Sequence, residues 1–288
     1  MRKDDQGKQG AGGSRTGDGK HQARGGPPPP RLRPAPDPRL SRSLEYGIAI
    51  LESFSRERQE LGIADMADLV GISRSTTHRY AITLVALGYL EQDSQRKYRL
   101  SARAVGPGIA AIGAIRRQVH ARAVLEELRS QTAHTVSMGA LDGARVIYIH
   151  RLLGHRAGQH AIDGDLGVGA NIPVHCTALG KILLVSLSDA ERRELLDGVE
   201  LTRYGPNTIT DRRKLAAELD RISPRGALVS DEELLRGARS IAVLVPRPSG
   251  EHPLAIDVTV PSTVYTVERL AQEIGPLVER AARLISGE

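Results

Sequence analysis

Two amphipathic segments joined by only three residues are the strongest constraint on how this chain can fold. In GIADMADLVGI, Met66 and Val70 share one helical face, and Gly71 suits the left-handed position that follows a helix end. Ser73 then supplies a capping hydroxyl for SRSTTHRYAITLVALGYL, in which Leu84 lies on the predicted buried stripe. Two helices separated by so short a turn predict a helix-turn-helix.

The residues on either side extend this unit. Before it, RSLEYGIAILESF repeats apolar residues at helical spacing and predicts a first helix of about three turns. After Gly88, the segments YLEQD and KYRL flank the polar turn Ser94-Gln95-Arg96 and predict a two-stranded wing. The expected domain is a winged helix-turn-helix over residues 43–105.

Charge is separated within this domain. Residues 43–72 carry two basic and six acidic side chains, whereas residues 73–103 carry six basic and two acidic ones. A second helix and wing that share a positive face favour binding to duplex DNA. The alternative is that the three helices only dock another protein or a second copy of the chain. The predicted DNA contacts are Arg74, Ser75, Thr76, His78 and Arg79 in the major groove, and Arg96 and Lys97 on phosphate or in the adjacent minor groove.

The net charge of +6 comes from the N-terminal segment. Residues 1–42 hold ten basic and four acidic side chains, eight glycines and seven prolines, so they lack the apolar residues of a core. We expect a disordered basic arm. It is either a solvated extension or an accessory that attracts phosphate in a salt-dependent way.

Composition excludes several classes of protein. One cysteine rules out an intramolecular disulfide framework and a multi-cysteine zinc site. Aromatic residues make up only 3% of the chain, which disfavours single-stranded nucleic acid binding by base stacking. The chain has no signal-peptide pattern and no run of about 18 apolar residues, so we expect a cytoplasmic protein that does not enter the membrane.

The remaining residues predict a linker and a second domain. Residues 106–120 read as a helical linker that Gly106-Pro107-Gly108 interrupts, and residues 121–288 as an α+β domain with an antiparallel sheet. Asp142-Gly143 is expected to turn a first hairpin, and Pro248-Ser249-Gly250 to join the strands of a second. Ser188 and Glu191 form a capping box, Thr210-Asp211 begins another helix, and one amphipathic helix closes the chain.

The order of these segments resembles the IclR family of bacterial transcription regulators over residues 41–287. The resemblance depends most on VGANIPVHCTALGKILL and on SDEELLRGARSIAVLVP followed by PLAIDVTVPS, because a helix-turn-helix alone is shared by many families. It implies a winged helix-turn-helix joined by a helical linker to a GAF-like effector domain. It also implies a homodimer or a tetramer built from dimers, with no cofactor and no enzymatic activity.

The resemblance also implies an effector pocket. The family often has an acidic residue at the position of Ser230 and a small hydroxyl residue at that of Asp257, so the acid has changed sides in this chain. The residues expected in the pocket are Gly169, Ala170, Cys176, Ser230, Asp231, Ala238, Ser240, Asp257 and Thr259.

Two chemical interpretations apply near Cys176. The helix after Thr177 could direct its unpaired N–H groups at an anionic effector, or Thr177 could cap those groups itself. A His175–Cys176 nucleophile is disfavoured, because adjacent residues of an extended segment point apart. A metal site at His150, His155, His160 and His175 is disfavoured because the spacing lacks a helical pair.

The sequence therefore predicts a regulator of a metabolic, catabolic operon that binds double-stranded operator DNA and a small organic acid. Two alternatives remain. One is an enzyme that uses the pocket of the second domain, and the other is a non-specific nucleic-acid binder that acts through the basic arm.

Overall fold

The computed structural model describes residues 39–55, 58–114, 118–155, 166–246 and 252–287. Most of the predicted basic arm, residues 1–38, lies outside these ranges, as does the Pro248-Ser249-Gly250 connection. The N-terminal unit contains three helices, namely α1 (Arg42–Glu52), α2 (Ile63–Val70) and α3 (Arg74–Ala86). Its core is formed by buried side chains from all three helices and the wing, among them Ile50, Met66, Leu84 and Tyr98.

The turn between α2 and α3 has the predicted chemistry. Gly71 adopts a φ of +75°, which a residue with a Cβ rarely tolerates. The Ser73 hydroxyl accepts the N–H of Thr76 at 3.2 Å and so caps α3. The helix-turn-helix is confirmed.

The wing is formed by two antiparallel strands, β1 (Leu90–Gln92) and β2 (Tyr98–Leu100). Asp93 closes their turn, because its Oδ1 accepts the N–H groups of Gln95 at 2.9 Å and Lys97 at 2.8 Å. Tyr98 also exchanges two backbone hydrogen bonds with Leu61, of 2.8 and 3.0 Å. The wing is thereby fixed to the segment that leads into α2.

The linker differs from its prediction. A short 3₁₀ turn (Ala102–Ala104) leads into helix α4 (Val105–Ala114), which runs through Gly106-Pro107-Gly108 without a break. Pro107 falls in the first turn of this helix, where a backbone N–H has no intrahelical acceptor and its absence costs little. The predicted interruption at this site is wrong. Helix α5 (Gln118–Thr132) follows and leads to the second domain.

The second domain contains one six-stranded antiparallel sheet in the order β5-β4-β3-β8-β7-β6, which confirms the α+β class. Its strands are β3 (Thr135–Asp142), β4 (Arg145–Leu152), β5 (Asn171–Pro173), β6 (Leu228–Asp231), β7 (Ala238–Val245) and β8 (Leu254–Pro261). All residues of the central strand β8 are buried. Asp142 pairs with Arg145, so the turn of the first hairpin is Gly143-Ala144, one residue later than predicted.

Helices cover both faces of this sheet. The later helices are α6 (Ala178–Val185), α7 (Asp189–Asp197), α8 (Arg212–Leu219), α9 (Val267–Glu273) and α10 (Gly275–Ser286). Helices α5 and α10 pack on one face around Leu125 and Val278, and α6 packs on the other through Leu179. In the described part of the chain, no helix is both long and apolar enough to cross a bilayer.

The C-terminal segment forms two helices where one was predicted. The break lies at Ile274, and Pro276 occupies the first turn of α10. Proline has no N–H to donate and its ring clashes with the preceding turn, so a continuous helix through this point would be strained. The Ser188–Glu191 capping box of α7 and the Asp211 cap of α8 are both present as predicted.

Candidate functional site

The N-terminal half of α3 presents most of the predicted DNA-contacting side chains to solvent. Arg74, Ser75, His78 and Arg79 are exposed, and Thr76 is half-buried. Thr77, Ala81 and Leu84 point inward and are buried. The first turns of α3 therefore form a polar and cationic surface. In helix-turn-helix proteins that bind DNA, this end of the second helix is the one that enters the major groove.

The hydroxyl groups at the start of α3 are held by one another. Ser73 Oγ lies 3.0 Å from Ser75 Oγ and 2.8 Å from Thr76 Oγ1, in addition to accepting the N–H of Thr76. This network orders the side chains before any ligand arrives, so less rotamer entropy is lost on binding.

Arg79 is positioned by an aromatic side chain. Its guanidinium carbon lies 5.4 Å from the centre of the Tyr80 ring. The Tyr80 hydroxyl donates to Ser43 Oγ at 3.2 Å, and its ring lies 5.8 Å from that of Tyr46. Tyr80 is thus fixed to α1. Its ring contacts Arg79 and so limits the directions in which the Arg79 guanidinium can reach.

The two predicted wing contacts differ in their surroundings. Arg96 lies in the turn of the wing with a φ of 63°, a conformation uncommon for residues other than glycine. Lys97 forms an ion pair with Asp65, at 3.3 Å between Nζ and Oδ2. The pKa of Asp65 is lowered first by the N–H of Gly62 and then by Lys97. Lys97 therefore holds the wing against the first turn of α2 while remaining half exposed.

Several predicted effector residues meet on the α6 face of the sheet. The strand register places Ser230, Ser240, Thr259 and Thr135 side by side across four strands. Two residues along each strand returns to the same face, so a second row runs parallel to the first. That row contains Ala242, Asp257, Ser137 and Arg151. We call these two rows the polar patch.

Hydrogen bonds join the two rows of the polar patch. Ser240 Oγ and Thr259 Oγ1 lie 2.8 Å apart. Thr259 and Ser137 both donate to the Asp257 carboxylate. Arg151 Nη1 donates to Ser137 Oγ at 3.1 Å, and its guanidinium carbon lies 4.8 Å from the centre of the Tyr148 ring. The patch is a connected polar surface inside an otherwise apolar layer.

Asp257 is the most perturbed acid of the polar patch. Only 3% of it is exposed, and burial raises its pKa from 3.8 to about 7 although Arg151, Ser137 and Thr259 act in the opposite direction. Among the described residues, no group forms a hydrogen bond with its Oδ1. An acceptor buried in this way is costly and is a frequent feature of binding sites.

Gly169 and Ala170 reach the sheet through Tyr148. The Gly169 N–H donates to the Tyr148 carbonyl at 2.8 Å, and the Tyr148 N–H donates to the Ala170 carbonyl at 3.0 Å. Gly169 has a φ of +84°. This loop thus lies at the edge of the sheet beside the ring that Arg151 covers.

Cys176 and Thr177 directly precede α6, and both are buried. Cys176 is fully buried, and burial raises the pKa of its thiol far above its ordinary value. A thiol that stays protonated is a poor nucleophile. Thr177 Oγ1 accepts the N–H of Gly180 at 3.0 Å and donates to the Pro173 carbonyl at 2.8 Å. Of the two interpretations of this helix start, capping by Thr177 is the one observed.

A buried charge cluster lies beside the polar patch. Lys181 Nζ lies 2.6 Å from carboxylate oxygens of both Glu218 and Glu233, and none of its side chain is exposed. Ser230 Oγ donates to Glu233 Oε1 at 3.0 Å. Burial raises the pKa of Glu233 above its ordinary value, although Lys181 and Ser230 act in the opposite direction and stabilise its charged form. Ser230 thereby connects the patch to α6 and, through Lys181, to α8.

Asp231 and Ala238 differ from the other predicted pocket residues. Asp231 forms an ion pair with Arg239 at 2.5 Å, which places it with the odd-numbered side chains of β7 on the opposite face from Ser240. Ala238 lies two residues before Ser240, on the face of the patch, at the start of β7. The structure therefore gathers Ser230, Ser240, Asp257 and Thr259 and leaves Asp231 apart.

Sequence reasoning missed Arg151 and Ser137. Both lie in the strands of the first predicted hairpin of the second domain. The hairpin pairs Arg151 with Ser137 only through a turn one residue later than predicted and a register shift between Met138 and Gly139, so this pairing had no local signal. The register that brings Asp257 to the same serine is long-range and has no local signature.

Two family models together match most of the chain. The model of the IclR helix-turn-helix domain matches residues 43–94, and that of the bacterial transcriptional regulator IclR C-terminal domain matches residues 113–287. The HTH-type transcriptional regulator XynR of Escherichia coli is 35% identical over 207 residues, which cover 72% of this chain and 81% of XynR. The Pca regulon regulatory protein of Pseudomonas putida is 30% identical over 247 residues, covering 86% and 84%.

A solved structure shows the same architecture. It is that of an IclR homolog from Microbacterium hydrocarbonoxydans complexed with 4-hydroxybenzoate, with a TM-score of 0.73 and 25% identity over 85% of this chain and 98% of that one. The winged helix-turn-helix, the antiparallel sheet of the second domain and both family matches lead to one assignment. The chain belongs to the IclR family of bacterial transcriptional regulators.

Proposed function

We propose that this regulator controls a catabolic operon by binding operator DNA through α3 and the wing, and by binding a small carboxylate on the polar patch. The observation that carries the DNA part is the exposed cationic start of α3, in a domain whose basic side chains are concentrated in residues 73–103 and whose acidic ones are concentrated in residues 43–72. The effector part is supported by the buried, incompletely bonded Asp257 beside Arg151. One similar solved structure, that of an IclR homolog, is complexed with 4-hydroxybenzoate, which is a small carboxylate.

The DNA contacts divide by role. In this proposal, side chains at the start of α3 contact base edges, since arginine can bond guanine through two parallel hydrogen bonds. The wing contacts phosphate or the minor groove, with Lys97 exchanging Asp65 for a phosphate oxygen. The proposed contacts are Arg74, Ser75, Thr76, His78 and Arg79 on α3, and Arg96 and Lys97 on the wing.

In this proposal the effector controls DNA binding through the oligomer that the chain forms. We propose a homodimer, or a tetramer built from dimers, in the cytoplasm, in which effector occupancy changes the separation of two recognition helices. Such coupling between sites is typically worth about 1–3 kcal/mol. The proposed effector residues are Gly169, Ala170, Cys176, Ser230, Asp231, Ala238, Ser240, Asp257 and Thr259. Ser230 and Asp257 are proposed to contact the effector most directly, because hydrogen bonds hold both side chains in place.

Arg79→Ala tests the DNA interface. We expect it to weaken operator binding by about tenfold or more, because a bidentate arginine contact is worth roughly 1–3 kcal/mol. Binding to the DNA upstream of the regulated genes is measured by fluorescence anisotropy, with 4-hydroxybenzoate binding measured in parallel.

The matched control is Arg213→Ala, since Arg213 is exposed on α8, away from this surface. It should bind DNA as the original chain does. Equal losses in both variants would contradict the proposed interface, as would unchanged binding by Arg79→Ala. A joint loss of DNA and ligand binding in Arg79→Ala would indicate misfolding, which circular dichroism detects.

A further inference from the structure

Ile82 lies in the middle of the polar and cationic surface of α3. It follows His78 by four residues and Arg79 by three, and these spacings place side chains on the same face of a helix. It also follows Ser75 by seven residues, or about two turns, so its side chain lies in line with Ser75 and between His78 and Arg79. The buried residues of the opposite face are Thr77, Ala81 and Leu84.

The fold makes little use of the Ile82 side chain. Its exposed fraction is 52%, and among the described residues it is not part of the core of the N-terminal unit. Isoleucine is branched at Cβ and is a weaker helix former than alanine, so helix stability does not account for it. Isolated apolar side chains are ordinary on a protein surface. This one, however, lies among the charged and hydroxyl groups of the proposed DNA interface.

The neighbouring side chains leave the centre of this face to Ile82. The Arg79 guanidinium lies against the Tyr80 ring, with its carbon 5.4 Å from the ring centre, so it is directed to the side of the face on which Tyr80 lies. Thr83, the exposed residue after Ile82, donates its hydroxyl to the Arg79 carbonyl at 3.0 Å, so this donor is already used within the helix. Beyond Arg79 the surface therefore offers an apolar contact, whereas before it the surface offers hydrogen-bonding groups.

The major groove of DNA has one apolar group that identifies a base, the C5-methyl of thymine, whereas the other identifying groups are hydrogen-bond donors and acceptors. Ile82 is the ninth of the 13 residues of α3 and lies within one turn of Arg79. We propose that Ile82 contacts a thymine methyl and makes thymine a requirement at a base pair next to those that His78 and Arg79 contact. This inference rests on the proposed binding of operator DNA through α3 and adds a specificity-determining residue and the base that it reads.

The test removes only the methyl group from the DNA. The full chain first selects its preferred duplex from a random-sequence pool, and that duplex is then synthesised with uracil in place of one thymine at a time. Uracil pairs as thymine does and lacks only the C5-methyl. Affinity measured by fluorescence anisotropy should fall about fourfold at the thymine that Ile82 contacts, the factor that corresponds to burying one methyl group.

Variants connect this effect to Ile82. Ile82→Ala should bind the thymine and uracil duplexes equally at that position, and its fold should be retained because alanine favours a helix. Ile82→Val keeps a branched apolar side chain and should retain the preference for thymine. The matched control is Val85→Ala, since Val85 is also apolar and exposed on α3 but lies almost one turn farther from Arg79. It should keep the preference of the original chain.

Two results would overturn the inference: a selected duplex in which no uracil substitution weakens binding, or a preference for thymine that Ile82→Ala retains in full. Sedimentation velocity of the same samples identifies the other occupant of this face. If Ile82→Ala retains the preference but changes the oligomeric state, Ile82 belongs to an interface between copies of the chain. If the random pool yields no preferred duplex, the proposed DNA-binding function fails and the inference fails with it. A preferred duplex without the methyl effect overturns the inference alone.

Discussion

Gly71 owes its role to its own backbone conformation, whereas Asp257 owes its role to the strand pairing that brings Ser137 to it. Gly71 and Ser73 were predictable, because a left-handed turn and a helix cap depend on the residue and its nearest neighbours. Asp257 could be assigned to the pocket only through family resemblance. Arg151 could not be assigned at all, because its relation to Asp257 depends on strand pairing between residues more than 100 positions apart. What a residue faces is set by the fold, whereas its backbone conformation is often set locally.

The raised pKa of Asp257 has a consequence for stability. Because the native state holds this proton up to about pH 7 whereas the unfolded chain releases it near 3.8, the native state binds more protons between these values. The free energy of unfolding therefore falls as pH rises from about 4 to 7. Asp257→Asn should remove this contribution and raise stability at pH 8 by roughly 2–4 kcal/mol.

Urea denaturation at pH 5 and pH 8 measures this effect. The stability gained by Asp257→Asn over the original chain should be clearly larger at pH 8 than at pH 5, because only part of the pH range between 3.8 and about 7 has been crossed at pH 5. Asp231→Asn is the control, since Asp231 is ion-paired and half-buried and its loss should not stabilise the protein. A variant less stable than the original chain at pH 8 would refute the expectation.

Elements were predicted well where their signals are local. Helices α1, α2, α3, α7 and α8 carry caps or periodic apolar stripes, and both hairpins of the second domain alternate as strands do. Strand β6 was missed because it spans only Leu228–Asp231 and lies at a sheet edge. The points at which helices begin and end near prolines were harder to predict. Pro107 lies in the first turn of α4, and Pro276 lies in the first turn of α10, just after α9 ends. Both prolines lie in the first turn of a helix, so neither by itself shows whether another helix comes directly before it.

The start of α6 makes an element-scale prediction. Thr177→Val keeps the shape of the side chain and removes the hydroxyl that caps Gly180, so it should lower stability by about 1–2 kcal/mol. Thr177→Ser keeps the hydroxyl and should lose less than half of that amount. Thermal unfolding followed by circular dichroism compares them. Equal losses in the two variants would show that the methyl group matters more than the cap.

At the scale of the whole molecule, the distribution of charge matters more than its total. The net charge of +6 equals the excess in residues 1–42, so the rest of the chain is neutral. Within that neutral part, the six acidic side chains of residues 43–72 lie next in sequence to the six basic ones of residues 73–103. The polarity of the winged helix-turn-helix was visible in the sequence because the charges are also contiguous along the chain.

Deletion of residues 1–38 separates the basic segment from the folded interface. These residues contribute eight basic and four acidic side chains and end before the α1 cap at Ser41. We expect operator preference over unrelated DNA to persist, while the slope of log affinity against log salt becomes shallower. Anisotropy titrations at several salt concentrations measure both. Loss of the preference itself would favour the non-specific alternative, in which the arm carries the binding.

Cys176 also has a practical value. It is the only cysteine of the chain, and it is completely buried immediately before Thr177, which caps α6. A thiol reagent can modify it only after the structure around the start of α6 has opened. The labelling rate therefore reports the local opening equilibrium of the second domain. The labelling rate of Cys176 therefore measures opening of the second domain without an engineered label. A small acid that binds this domain should lower that rate, so candidate effectors can be screened in this way.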